Sequence, residues 1–217
     1  MNDEASAELR DYLAWHDAYD RPGSSLQLRL LMVQEFVATA FDEAGPGPIR
    51  VVSLCAGQGR DVVTVAHRHR RGPDVVGRLV ELDPRNVEVA RSLIVDAGLT
   101  GLEVLEADAA DTDAYVGAAP ADVVLACGIF GNITDEAVER TVHFLPSLCA
   151  PGAWVIWTRA PRGDDILDRI DGWFIDAGFE SRGVVVGKND IFGAGTAQYR
   201  GDPRPLERGL HLFDFFR

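Results

Sequence analysis

From residue 49 onward the chain alternates short, almost wholly apolar runs with longer stretches in which apolar residues recur every three or four positions. The runs at 49–55, 75–81, 102–107, 121–127, 153–158, 180–186 and 210–216 predict seven strands. The stretches at 60–71, 84–97, 135–148 and 164–177 predict helices between them. Pro84 sits near the first position of the second of these and Gly98 just past its end, as helix termini favour; Pro146 breaks the third. Upstream, Leu9, Tyr12, Leu13, Trp15 and Tyr19 fall at helical spacing that stops at Arg21-Pro22-Gly23. Ser24 and Gln27 then form a Ser-x-x-Gln capping box that opens a helix to about residue 44, with Leu28, Leu31, Phe36, Val37 and Phe41 on its apolar face. Gly45-Pro46-Gly47-Pro48 ends it.

Strand and helix in strict alternation predict right-handed crossovers and an α/β fold, a largely parallel sheet with helices on both faces. Near-continuous apolarity of the strands agrees, because such strands are buried on both sides. The pattern divides the chain into an N-terminal helical lid or extension, 1–48, and a main domain, 49–217. The stretch 189–208, rich in Gly, Pro and Arg, reads as one long loop, and loops of that length usually carry function. Tyr199 and Arg200 within it are candidates for substrate choice.

Composition narrows the partners. The 217 residues include 34 acids against 21 bases, a formal charge of −13, which argues against generic binding to nucleic acid. No apolar run reaches the roughly 20 residues that span a bilayer, so no membrane is expected. The acidic start, MNDEASAELR, is wrong for a secretory or transit peptide. Cys55, Cys127 and Cys149 are odd in number, widely spaced and set in apolar surroundings, which fits the reducing cytoplasm. Lys188 is the one lysine, and the Arg-for-Lys bias suggests a GC-rich bacterial genome. No His, Cys or acid grouping has metal-ligand spacing along the chain.

The chemistry concentrates where strands end. In an open α/β sheet, ligands lie outside the carboxyl ends of the strands. The first strand leads into Ser53-Leu54-Cys55-Ala56-Gly57-Gln58-Gly59-Arg60-Asp61. Gly57 and Gly59 let a ligand approach the backbone, and the next helix presents free N–H groups. Glu81 ends the second strand, where a carboxylate accepts both hydroxyls of a ribose; it also reads as a solvated strand end. Asp108 follows the third strand, where it accepts from an exocyclic amine of a base or caps the turn before Ala109. Val62 stands where a dinucleotide fingerprint wants its third glycine, and no Gly-Lys-Ser/Thr phosphate loop is present. A single nucleoside with a short polar tail fits the turn best.

With VVSLCAGQGRD (51–61), GRLVELDPRNVEVAR (77–91), LEVLEADAAD (102–111), ADVVLACGIFGN (121–132) and LCAPGAWVIWTR (148–159) in this order and spacing, the sequence resembles the class I S-adenosylmethionine-dependent methyltransferases over about residues 49–217. The resemblance implies a three-layer Rossmann-like sandwich with a seven-stranded sheet whose last strand, LHLFDFFR, is antiparallel. It implies S-adenosyl-L-methionine as cofactor, with S-adenosyl-L-homocysteine as its product. Ala56, Gly57, Gln58 and Gly59 would lie against the methionine part, Glu81 on the ribose, and Asp108 with the Ala109 backbone on the adenine. Cys127 would sit near the methyl group, and Tyr19 would reach the cofactor carboxylate as a lid. The sequence departs from the family in Ser53, where an acid is usual, and Cys55, where a glycine is usual.

The acceptor side is less defined. His16, between Trp15 and Tyr19, is a candidate base or a solvated helix histidine. Phe130 is a candidate wall of the acceptor site; Asn132 either hydrogen-bonds the acceptor or caps the helix beginning near Thr134. Arg159 either pairs a substrate carboxylate or is a surface charge beside Asp164 or Asp165. The run HRHRR (67–71) attracts phosphate or offsets a helix macrodipole. His143 reads as packing or surface, and Trp154, Trp157 and Trp173 as core or helix packing. A compact acidic chain points to a small-molecule acceptor and a monomer or homodimer; an RNA or protein methyltransferase, or a cofactor-binding protein without transfer, are the alternatives.

Overall fold

The computed structural model describes residues 17–161, 165–187 and 192–216. Residues 1–16 of the first helical segment, His16 among them, Asp164 and the start of the 189–208 stretch lie outside them. The strands are β1 (Ile49–Ser53), β2 (Val75–Glu81), β3 (Leu102–Glu106), β4 (Ala121–Ala126), β5 (Cys149–Arg159), β6 (Phe179–Val186) and β7 (Gly193–Tyr199). The helices are α1 (Ser25–Glu43), α2 (Arg60–Arg68), α3 (Pro84–Asp96), α4 (Asp135–Phe144) and α5 (Ile166–Asp176). The strands form one sheet in the order β3-β2-β1-β4-β5-β7-β6. β1 to β5 pair in parallel, and β7 runs antiparallel to both β5 and β6. With helices flanking the sheet, this is the Rossmann-like methyltransferase architecture.

Each face of the sheet buries its own core. Val33, Val37, Ala40 and Phe41 of α1 join Val62, Val63 and Ala66 of α2 and Val87, Ala90 and Ile94 of α3 against Val51, Leu79, Val123 and Ile156. On the other face Val138 and Val142 of α4 and Ile166, Ile170 and Phe174 of α5 pack on Val52, Val80, Val124 and Val155. Trp157 is fully buried, stacked on Phe174 at 5.9 Å and beside Phe130 at 6.2 Å. Trp173 is half-buried under the Arg169 guanidinium. The capping box forms: Ser24 accepts from the Gln27 N–H, and the Gln27 side chain accepts from Gly23.

The seventh strand is not where the alternation of LHLFDFFR places it. Residues 210–216 make a single bridge, Asp111 to His211, and otherwise cross the ends of other elements as a strap. Leu212 donates to Ala110 and Phe216 to Asn132, Arg140 donates to the Leu212 carbonyl, and Leu212 and Phe213 are buried. The antiparallel strand is GAGTAQY, inside the expected loop. Its small residues are demanded by its neighbours, since a Cβ on Gly195 would run into the Trp157 ring and one on Gly193 would lie 2.8 Å from the Arg159 carbonyl oxygen. Tyr199 is therefore a buried strand residue, tilted on Phe179 with its hydroxyl on the Asp202 carbonyl. Arg200 pairs with Glu180 at the surface. Tyr199 is thus removed from the loop expected to choose the substrate, while Arg200 is the first residue beyond β7.

The basic run is also absorbed by the fold. Arg68 donates to Gln34, Arg70 to Asp42, and Arg71 to Asp74 and to the carbonyls of Ala44, Gly45 and Gly47. These contacts tie α2 to the C-terminal end of α1 rather than offering a phosphate site. His69 packs edge-on against Phe41, and His143 is exposed. Among the described residues no helix is long and apolar enough to cross a membrane.

Candidate functional site

The strand order reverses between β1 and β4, and the elements leaving their carboxyl ends form the crevice where α/β folds place ligands. The turn after β1 adopts left-handed φ at alternate residues: Cys55 (+48°), Gly57 (+57°) and Gly59 (+68°). That geometry explains why a glycine would be favoured at position 55: a side chain there costs about 1–2 kcal/mol. Gly59 has a second constraint, because a Cβ would lie 2.8 Å from Leu79 Cδ1. The turn thus holds α2 tight on the sheet and turns its own backbone toward the crevice.

Glu81 is built into this turn rather than being a solvated strand end. One carboxylate oxygen accepts from the Gly57 N–H at 2.7 Å and the other from the Asp83 N–H at 2.9 Å. A carboxylate has about four acceptor positions, so each oxygen retains capacity toward the crevice. Asp108, two residues beyond β3, accepts from the Ala110 N–H at 2.8 Å, while Ala109 is buried and its carbonyl accepts from Tyr115. Cys127 follows β4; its thiol leans on the Ile156 carbonyl at 3.7 Å, and burial pushes its pKa up, keeping it neutral. Burial likewise raises the Cys55 thiol, with Glu81 and Asp108 adding to the effect.

Beside the glycine turn the crevice brings the candidates Tyr19, Ala56 and Gln58 together with Leu30, Arg60 and Asp61, which the sequence did not single out. Together they line a small, partly open cavity of about 30 Å³. Tyr19 belongs to a 3-10 turn, Asp17–Asp20, pinned over the site at two points. Arg29 of α1 donates to the Tyr19 hydroxyl at 2.8 Å, and Arg60 of α2 grips Asp20 at 2.7 Å. Arg60 also donates to the Gln58 side chain at 2.7 Å. Asp61 is half-buried and accepts from the adjacent Val62 N–H at 2.8 Å. Desolvation raises its pKa from 3.8 to about 6. Adjacent to a glycine turn and at the start of a helix, Asp61 is indistinguishable in sequence from an ordinary first-turn acid. A larger depression of about 310 Å³, lined by Ala44, Gly45, Pro46, Pro48, Arg50 and Asp122, opens at the amino ends of β1 and β4. It lies at the opposite edge from these groups, and an Arg50–Asp122 ion pair forms part of its wall.

The acceptor-side candidates resolve differently from their expectations. Thr134, not Asn132, caps α4, accepting from the Ala137 N–H. Asn132 folds back instead, its amide donating to the Gly128 carbonyl at 2.7 Å. Phe130 is fully buried and walls nothing open. Arg159 is neither at the surface nor beside Asp165. It is buried, donates to the Phe130 carbonyl and reaches Asp135 at 3.6 Å, so its charge is taken up within the fold. His16 lies outside the described residues.

One grouping was invisible along the chain. Asp108, Asp111 and His211 bring three possible metal-ligand atoms within 4.8 Å of one another. The His211 ring is held at both nitrogens, by Asp111 at 2.8 Å and Asp214 at 3.2 Å. The Asp111 hydrogen bond is the main cause raising its pKa, and an imidazolium donating to two acids accounts for the arrangement.

The sequence profile of a family described as "Putative methyltransferase" matches residues 24–167. No curated protein matches the chain in sequence. Among solved structures, an O-methyltransferase family protein from Burkholderia thailandensis superposes with a TM-score of 0.66 at 20% identity, over 86% of this chain and 59% of that one. The chain therefore spans about three-fifths of that protein's length. A magnesium protoporphyrin IX methyltransferase from Synechocystis, with S-adenosylmethionine bound, gives a TM-score of 0.65 at 16% identity over 87% of this chain and 90% of its own. An RNA methyltransferase from Salinibacter ruber, in complex with S-adenosyl-L-homocysteine, gives 0.52 at 18% identity over 81% and 96%. At these identities the superpositions establish the fold, and the family rests on the profile match, which extends from the cap of α1 to the start of α5. The chain belongs to this methyltransferase family.

Proposed function

We propose that the protein is an S-adenosylmethionine-dependent methyltransferase acting on a small-molecule acceptor. The observation that carries this reading is the line of groups across three successive strand ends: the left-handed glycine turn after β1, Glu81 at the end of β2 and Asp108 after β3. They fit the cofactor part by part. Gly57 and Gly59, with the backbone of Ala56 and Gln58, present no side chain against a methionine tail. Glu81 keeps acceptor capacity for two ribose hydroxyls, and Asp108 with the Ala109 backbone meets the adenine edge. Cys127, neutral and half-buried, lies toward the methyl group without competing as a nucleophile.

When bound, the cofactor supplies a methyl group already activated on a sulfonium. The chain's task is then alignment and exclusion of water, and holding reactants in an attack geometry is worth about 7–11 kcal/mol. In this reading Tyr19 covers the methionine end, and the turn that carries it lifts to admit the ligand, the cavity beneath it being only about 30 Å³.

A small acceptor is favoured over RNA by charge. The net charge is −13, and the run HRHRR is spent largely on contacts with α1 and its connector. We place the protein in the cytoplasm as a monomer or homodimer; its three unpaired cysteines suit a reducing compartment.

The test is transfer of a labelled methyl group from S-adenosylmethionine to a panel of small oxygen, nitrogen and carbon nucleophiles, run beside bulk RNA and protein. Label in a small molecule is expected. Label in RNA or protein alone would overturn the acceptor class. Binding of the cofactor without transfer to any acceptor would make this a cofactor-binding protein instead.

A further inference from the structure

The cavity beside the glycine turn has two chemically different sides. Asp61 supplies an acid, and Arg60, its guanidinium held by Gln58 and Asp20, lines the same space. Arg29 stands behind Tyr19, bonded to its hydroxyl. An acid with cations and donors on the other walls suits, once the turn carrying Tyr19 lifts, a zwitterion: the ammonium and carboxylate of a free α-amino acid end. Ser53, where the resemblance leads one to expect an acid, is buried at the end of β1 and brings no charge.

We propose that Asp61 binds the α-ammonium of the cofactor's amino-acid end and so replaces the acid missing at Ser53. The assignment rests on the methyltransferase reading above and gives that site a recognition residue.

The surroundings give Asp61 a reason to be poised for a cation. Facing it are Arg29 from α1, Tyr19 from the 3-10 turn and Cys127 after β4, with Arg60 its chain neighbour and the Val62 N–H its hydrogen-bond donor. Burial holds its carboxyl near 6 without ligand. An ammonium beside it favours the ionised form. Binding below pH 6 therefore expels a proton from the carboxyl, and affinity must rise with pH until Asp61 is ionised in the free protein.

The experiment is calorimetric titration of the full chain and of Asp61→Asn with two probes, at pH 5.0 and 7.5. S-adenosylhomocysteine carries the amino-acid end; 5′-methylthioadenosine carries the same nucleoside and sulfur without it. The amide of the Asp61→Asn variant keeps an oxygen to accept from Val62, and unchanged methylthioadenosine binding certifies an intact fold. At pH 7.5 the substitution is expected to weaken S-adenosylhomocysteine by about 10–100-fold, the loss of one charge-assisted bond, and methylthioadenosine by less than about twofold. For wild type, S-adenosylhomocysteine affinity should fall about tenfold from pH 7.5 to 5.0, as expected for one proton on a group near 6, and stay flat in the variant. Equal S-adenosylhomocysteine affinity in the two proteins would overturn the role of Asp61 and leave the methyltransferase reading standing. Failure of wild type to bind either probe would remove both.

Discussion

Glu81 carries two loads, and replacing it with glutamine separates them from simple loss of a side chain. Its carboxylate accepts one N–H on each oxygen, from Gly57 at 2.7 Å and Asp83 at 2.9 Å. A glutamine amide has one accepting oxygen, so one of the two donors must face an NH2 group. Losing a charge-assisted bond costs about 1.5–3 kcal/mol. For a chain of this length that lowers the melting temperature by roughly 3–12 °C. The same carboxylate is assigned to the ribose, so S-adenosylhomocysteine affinity should fall by about tenfold or more through the bond that strengthens on ionisation. Urea denaturation without ligand reads the first effect, and calorimetry of the folded variant reads the second. Glu81→Ala, which removes both acceptors, should be the less stable of the two. A glutamine variant with the wild-type urea midpoint and unchanged affinity would refute both the pinning of the turn and the ribose contact. Normal affinity in a destabilised variant would leave Glu81 a purely structural residue.

Two further outcomes follow from buried charge. Ionisation of Asp61 is resisted in the fold, with a pKa near 6 against 3.8 for the ordinary group. Between about pH 4 and 6 the unfolded chain binds fewer protons than the native one, so this residue's contribution to stability falls as pH rises and is constant above. The shift corresponds to at most about 3 kcal/mol. Asp61→Asn should therefore be as stable as wild type near pH 4 and more stable at pH 7.5, measured by denaturation across that range; a difference independent of pH would contradict it. Arg159→Met should lower stability by about 2–4 kcal/mol, because it strips the buried Phe130 carbonyl of its donor and Asp135 of one cation. An Arg159→Met protein as stable as wild type, but with a raised KM for acceptor, would return this arginine to the substrate.

The alternation of apolar runs and helical spacing made β1 to β6 and α1 to α5 readable to within a few residues, because buried parallel strands and amphipathic helices each leave a local signature. β7 left none. GAGTAQY lies between β5 and β6, where Trp157 fills the space a side chain on Gly195 would need, so tertiary packing overrode strand propensity. LHLFDFFR has the period of a strand, yet it binds through scattered backbone bonds to Ala110, Thr112 and Asn132. In the site, Gly57, Gly59, Glu81 and Asp108 were visible as turn glycines and acids at strand ends. The structure adds that Glu81 holds the glycine turn. What stayed hidden were contacts between distant segments: Tyr19 with Arg29, Asp20 with Arg60, and Asp111 with His211. Asn132 and Arg159 were exposed to the opposite error, since their polar side chains turn inward to backbone carbonyls that no local pattern reveals.

The most direct test is calorimetric titration of the wild-type protein with S-adenosylhomocysteine at pH 7.5, repeated with Asp108→Ala. One site per chain with micromolar affinity, weakened about tenfold or more by removing the proposed adenine contact, is the predicted result. No heat up to millimolar ligand, or equal affinity in the Asp108→Ala protein, would contradict a nucleoside cofactor gripped at the ends of β2 and β3.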